Sequence, residues 1–289
     1  MHFSGKSRGI WLVAFAATAW GVGGFVAATL FKSSGLGSVT VSFWRFVGGV
    51  VLLGALRPFL GLRWRASFRR VLLTGAGFAI YQTAYYAAIP YAGLAVATVV
   101  TLGTGPILIA LGSWLFLRER LDPAGALLIS VSLVGLILLV RPSGHSVSVI
   151  GVALSLLSAT GYAAVTLLSR ASHSKDDPLD AALGGFAVGA VLVLPVAWSE
   201  GLLPTTGHWP ETAGMLAFLA TFPTALAYVA FFSGLRAVSA TTASMVALVE
   251  PVAAAVLAVV ILGEHLSVVA YAGGVLLLAS VALLARLEK

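Results

Sequence analysis

The residues most able to do chemistry in this sequence lie inside its apolar stretches. Glu250, followed at once by Pro251, interrupts the run MVALVEPVAAAVLAVVILGEHL (245–266). A carboxylate in hydrocarbon is costly, so ionisable groups in such runs face protein or water and mark function. Three roles are open to Glu250: carrying a coupling proton, contacting a substrate ammonium, or pairing with a buried cation. Arg45 is the candidate cation, although it lies nearer one end of its own apolar run and could snorkel there. Pro251 removes the N–H that would bond the carbonyl four residues back, that of Ala247; Pro106 does the same to Leu102. Such weak points can bend during gating, or can be static kinks repaired by neighbouring groups. Pro106, Pro251, Glu250 and Arg45 are therefore the candidates for gating or coupling.

A solute site in a membrane combines apolar and aromatic walls with a few placed polar groups. The candidates are Trp20, Tyr81, Gln82, Tyr85, Thr101, Tyr162, Tyr228 and Phe231, all central in apolar runs. An ammonium could rest on their aromatic faces. The competing reading is core packing, and Tyr91, Trp198 and Trp209 fit a headgroup belt. Thr98, Thr101 and Thr104 recur every three residues on one helix face, where they could line a cavity or bond across a helix interface. Gly185 and Gly189 suit tight packing inside a bundle. Glu119 and Glu264 suit bonds to loop backbone, and Asp176–Asp177 a solvated surface. Signals for an enzyme are missing. SGKS (4–7) lacks the upstream glycine of a phosphate loop, and no HExxH occurs. There are no cysteines, and the five histidines fall at termini, loops or run ends. No catalytic residue, metal or cofactor is expected.

The elements that must position these residues are helices in lipid. Hydrophobic residues make up 60% of the 289 and charged ones 9%, with a mean hydropathy of +1.03. A soluble domain of this size needs roughly 25% charged residues. A span needs about 20 apolar residues, and ten candidates result: 9–31, 39–56, 70–89, 92–117, 124–140, 149–169, 179–198, 212–235, 240–262 and 267–285. The third and fourth are parted only by PYAG (90–93). A β-barrel would alternate in polarity; these runs do not. The first run exceeds a signal-peptide core and reads as a retained span. With ten spans, fourteen of the seventeen Lys and Arg fall on one side, two (Lys32 and Arg141) on the other, and Arg45 within a span. The positive-inside rule then places both termini in the cytoplasm. The net charge of +7 is thus a mark of topology, and no nucleic-acid partner is expected.

The chain also repeats. At an offset of 145 residues, Ala95 aligns with Ala240, Pro106 with Pro251 and Glu119 with Glu264. GIWLVAFAATAW (9–20) parallels GVALSLLSATGY (151–162), which pairs Trp20 with Tyr162. The division is 1–145 and 146–289. Five spans per copy make the second copy inverted, the arrangement of many secondary transporters, with the substrate site near the midplane between repeats.

Two five-span repeats with Trp20–Gly21, Arg45, Pro106 with FLRERL, and Glu250–Pro251 with LGEHL resemble the drug/metabolite transporter superfamily, in particular its EamA branch. The resemblance covers essentially the whole chain. It implies an all-α fold of ten transmembrane helices and export of small metabolites, amino acids prominent among them. Members commonly carry Glu-Pro here whatever they transport, which moderates the substrate-contact role. GTGP (103–106) has no acid, so the two halves differ chemically. The expectation is a bacterial inner-membrane exporter of amino acids, aromatic or broad in specificity, working by alternating access. Its partners would be the lipid bilayer and a small-molecule substrate, and its expected state a monomer. The alternative is a proton-coupled exporter of cationic amphipathic drugs using Glu250. A membrane enzyme lacks convergent catalytic groups, an inverted repeat argues against a receptor, and no filter motif suggests a channel.

Overall fold

The structure is a computed structural model, described for residues 5–60, 64, 66–119, 122–140, 148–171, 177–205, 209–262 and 265–287. The first half holds α1 (Gly5–Ser34), α2 (Ser38–Leu56), α3 (Phe68–Gly112) and α4 (Pro123–Val140). The second holds α5 (Val149–Ala171), α6 (Pro178–Glu200), α7 (Trp209–Ala220), α8 (Ala227–Gly234), α9 (Ala240–Ala247), α10 (Val249–Leu262) and α11 (Val268–Leu287). A π-helical turn, Thr221–Leu226, joins α7 to α8 into one span, and α9 with α10 makes another. Another π turn, Ser113–Leu117, ends α3.

Nine helices among the described residues are long and apolar enough to cross a membrane. The tenth expected span is the first limb of α3, whose Tyr81, Gln82, Tyr85 and Tyr86 lower its hydropathy. α3 is helical throughout its 45 residues. Residues thirteen apart in a straight helix would lie about 20 Å apart, yet the hydroxyls of Tyr85 and Thr98 meet at 2.8 Å. The chain therefore reverses between them, around PYAG, and α3 supplies two limbs side by side. α5 packs on both. The Ser158 hydroxyl donates to the Tyr81 carbonyl (2.9 Å) and the Thr101 hydroxyl to the Ser155 carbonyl (3.2 Å).

The packing is that of two inverted repeats. α2 lies against its counterpart α6, and α4 against its counterpart α11. A two-fold axis along the membrane normal would make such pairs parallel; an axis in the membrane plane makes them antiparallel. They are antiparallel. Thr40 near the start of α2 donates to the Ala197 carbonyl near the end of α6 (3.0 Å), while Arg57 after α2 pairs with Asp180 at the start of α6 (3.0 Å). Ser132 and Ser280 share a hydrogen bond of 2.6 Å, and farther along α4 a Cβ on Gly135 would lie 2.8 Å from the Gly273 carbonyl. The cross-contacts exchange in the same way: α1 packs on α7 and α8 as α5 packs on α3.

Several expectations need adjusting. Pro251 coincides with a real interruption. α9 ends at Ala247, Leu248 sits at φ −65°, ψ −4°, and α10 restarts at Val249. Pro106 leaves α3 unbroken, so the first copy of the proline does not interrupt its helix. Asp177 is no idle surface charge: its carboxylate accepts the Leu179 N–H (2.9 Å) and caps α6. Glu119 does bond backbone, accepting the Ala240 N–H (3.4 Å), and it also pairs with Arg170 (2.9 Å). Glu264 and Asp176 lie outside the described residues. Gly185 and Gly189 face Phe78 and Phe46 inside the bundle.

Candidate functional site

A cavity of about 110 Å³ lies where the two repeats meet. α1 gives it Trp20, Gly24 and Ala27; the two limbs of α3 give Tyr81, Gln82, Tyr85 and Tyr86, then Thr98 and Leu102. α2 contributes Arg45, α5 Tyr162, α8 Tyr228, and the α9–α10 break Ser244, Ala247, Leu248 and Glu250. The wall needs close helix approach at α1. A Cβ on Gly21 would meet the Glu250 carbonyl at 2.5 Å and Ala253 Cβ at 2.8 Å, so glycine beside Trp20 lets α1 lie on the α10 backbone. In the other half Gly105, aligned with Glu250, faces the Tyr162 ring, where a Cβ would sit 3.1 Å from Cδ1.

The cavity wall carries one acidic and one basic side chain. Glu250 occupies the first turn of α10, where the positive end of the helix dipole favours an anion. Arg45 donates from Nε to the Thr224 hydroxyl (3.0 Å). Among the described residues, Arg45 makes no ion pair with Glu250, and no hydrogen bond is formed by its terminal guanidinium nitrogens or by the Glu250 carboxylate. The buried-pair role considered for Glu250 thus has no direct contact behind it. Two more polar atoms at the wall, Trp20 Nε1 and the Tyr162 hydroxyl, are buried and unpartnered. Buried polar groups are normally satisfied, so these donors and charges form a polar lining ready for a solute or water. Among the described residues no three His, Cys, Asp or Glu gather as metal ligands would.

Eight of the twelve candidates read from sequence line this cavity: Trp20, Arg45, Tyr81, Gln82, Tyr85, Tyr162, Tyr228 and Glu250. Four do not. Thr101 is fully buried with its hydroxyl spent on the Ser155 carbonyl. Phe231 is buried behind Trp20, ring centroids 5.1 Å apart. Pro106 and Pro251 are buried in their helices. The sequence reading missed Tyr86, Ser244 and Gly24. Tyr86 was signalled by the doublet it forms with Tyr85; Ser244 and Gly24 carry no signal before the helix faces are known. Thr98, weighed as one of three threonines, is the one that reaches the wall. Below the cavity, on the side of the α1 N-terminus, a stack of rings closes the bundle. Trp20 meets Tyr228 at 5.0 Å, Tyr228 meets Phe78 at 4.9 Å, and Phe78 meets Phe186 at 5.4 Å.

This architecture is shared with known proteins. The chain matches the EamA-like transporter family twice, over residues 7–141 and 149–286. It is 29% identical over 262 residues to the uncharacterized transporter YwfM of Bacillus subtilis, covering 88% of this chain and 86% of that one. It is 27% identical over 175 residues to the pseudopaline exporter CntI of Pseudomonas aeruginosa, covering 60% and 61%. A solved crystal structure superposes with a TM-score of 0.82 over 96% of this chain and 98% of its own, at 19% identity, and so shares the fold. With both halves matched and the two-repeat architecture in place, the chain belongs to the EamA-like transporter family of multi-pass membrane proteins.

Proposed function

We propose that this transporter moves small zwitterionic metabolites, amino acids first among them, across the bacterial inner membrane by alternating access through the central cavity. One observation carries the reading: Arg45 and Glu250 line the same small cavity without pairing with each other. An α-amino acid brings a carboxylate for the guanidinium and an ammonium for the carboxylate. Charge-assisted hydrogen bonds of this kind are the strong ones. Trp20, Tyr81 and Tyr162 supply aromatic walls for its side chain and for the ammonium. Both the YwfM and CntI names describe transporters, and CntI is named an exporter, which supports outward transport here. The charge bias of the loops supports cytoplasmic termini, and a single chain carries both repeats, as a monomeric transporter needs.

The cavity also bears on the drug-export alternative. Sites for drug-sized ligands occupy roughly 300–1,000 Å³, and about 110 Å³ suits a smaller solute. The test is reconstitution into liposomes, with labelled amino acids and cationic dyes offered with and without a pH gradient. Saturable amino acid flux is the expected result. Dye flux with no flux of any amino acid overturns the reading in favour of the alternative, and no flux of either overturns both.

A further inference from the structure

We propose that Thr224 is a specificity-determining positioning residue: it fixes Arg45 as the group that reads a substrate carboxylate. The inference rests on the zwitterion reading of the cavity, and it starts from a proline outside it. Pro223 lies in the π turn Thr221–Leu226. Having no N–H, it leaves the carbonyl four residues back, that of Leu219, without its helical donor. The Thr224 hydroxyl takes over, donating to the Leu219 carbonyl at 2.7 Å. A hydroxyl has one proton to give and lone pairs to receive with. With the proton spent, Thr224 can only accept from Arg45, and it does so from Nε at 3.0 Å. The guanidinium can only donate and the carbonyl can only accept, so the relay runs one way, from Arg45 Nε to the Thr224 hydroxyl to the Leu219 carbonyl that the proline leaves free.

The approach that makes this contact is built into α2. Gly49 lies one turn after Arg45 on the same helix face. A Cβ there would stand 2.9 Å from Phe186 and 3.4 Å from the Thr224 methyl, so the glycine lets α2 close on the π turn. Thr224 itself is fully buried. With Nε held by Thr224, the two terminal nitrogens of Arg45, a residue of the cavity wall, make no hydrogen bond among the described residues. Those two nitrogens are the pair that a carboxylate meets bidentately. Thr224 does not itself line the cavity; it acts through Arg45.

Two measurements separate this proposal from the reading beneath it. In proteoliposomes, an amino acid and its carboxamide, which lacks the carboxylate, compete for the same flux. Thr224→Val keeps the shape and removes the relay. Its expected effect is at least a tenfold rise in KM for the amino acid, little change for the carboxamide, and saturated flux within about threefold of the parent. Thr224→Ser keeps the hydroxyl and restores the parent preference. An unchanged preference in Thr224→Val, or an equal loss in Thr224→Ser, overturns the proposal. The second measurement needs no substrate. In protein labelled with ¹⁵N at arginine Nε, the Arg45 Nε–H is expected to exchange slowly with water in the parent and in Thr224→Ser, and at least tenfold faster in Thr224→Val. Equal exchange in all three overturns the positioning role even if no amino acid is transported, whereas absent flux with the expected exchange pattern overturns the zwitterion reading alone.

Discussion

At the scale of single residues, the two charges make opposite and separable predictions. Truncating one member of a desolvated charge pair costs about 2–5 kcal/mol, and 1.4 kcal/mol is tenfold in affinity. Arg45→Ala is therefore expected to raise KM for amino acids about 30-fold or more. Arg45→Lys should recover little, because an ammonium is a point charge without the planar fork. Glu250→Gln keeps the shape of the side chain and removes its charge. Its expected effect is weakened transport of amino acids, with analogues lacking the amino group spared. Concentration dependence of flux in proteoliposomes measures both. If Glu250→Gln leaves amino acid affinity intact and abolishes the response to a pH gradient, the carboxylate carries a proton instead. Much of this site was legible in the sequence because charge and aromaticity inside apolar runs are rare enough to stand out. Thr101 and Thr98 show the limit. Both have the same spacing and chemistry, and only the rotation of α3 against α5 decides that Thr98 lines the cavity while Thr101 bonds Ser155. Thr224 was missed for a related reason: its role depends on a contact with Arg45, 179 residues away in sequence.

At the scale of elements, small residues and breaks set how the helices meet. A Cβ on Gly273 would lie 2.5 Å from the Leu139 nitrogen and 2.7 Å from the Gly135 carbonyl, both backbone atoms that cannot swing aside. Overpacking of this kind costs about 1–3 kcal/mol. Gly273→Val should lower the melting temperature of the detergent-solubilised protein by several degrees. Gly24→Ala, whose added carbon meets nothing within 4 Å, is the matched control and should leave it unchanged. The interruption before α10 yields another expectation. Pro251 stands in the first turn of α10, where an N–H has no helical partner to lose. Pro251→Ala supplies an N–H able to reach the Ala247 carbonyl, joining α9 to α10 and turning Glu250 away from the cavity. Flux should fall about tenfold while thermal stability holds or rises. Sequence periodicity located both prolines. It could not say that one breaks its helix and the other does not, because the fate of a freed carbonyl depends on what packs beside it. The reversal within α3 was legible only as the four-residue signal of PYAG.

At the scale of the whole molecule, the repeats are symmetric in packing and asymmetric in state. Along α1, buried Val13 and Ala16 come first, then Trp20, then the cavity residues Gly24 and Ala27. α3 follows the same order, Phe78 before Tyr81 and Tyr85. The cavity thus lies toward the C-terminal end of α1, with buried Leu30 and Ser34 beyond it, and the ring stack from Trp20 to Phe186 packs the opposite side, the one to be tested as the sealed face. On the sealed face Glu119 ties three elements together: it pairs with Arg170 at the end of α5 (2.9 Å) and accepts the Ala240 N–H at the start of α9 (3.4 Å). Arg170 also donates to the Leu235 carbonyl after α8 (2.9 Å). A transporter that alternates must release this seal, and a ligand or mutation shifts such an equilibrium only by acting differently on the two states. A partly exposed ion pair contributes modestly, so Glu119→Gln should shift the population a few-fold and leave the fold intact. The chain has no cysteine, so single cysteines report without background. A cysteine at Gly24, exposed at the cavity wall with nothing within 4 Å of an added carbon, is expected to react with an impermeant maleimide added outside intact cells. A cysteine at Val13 should stay protected in everted vesicles and become several-fold more reactive when Glu119→Gln is added. Reaction at Gly24 from the cytoplasmic face alone would reverse the orientation that the loop charges imply, and unchanged protection at Val13 would show that the seal is held by the rings without the ionic tie.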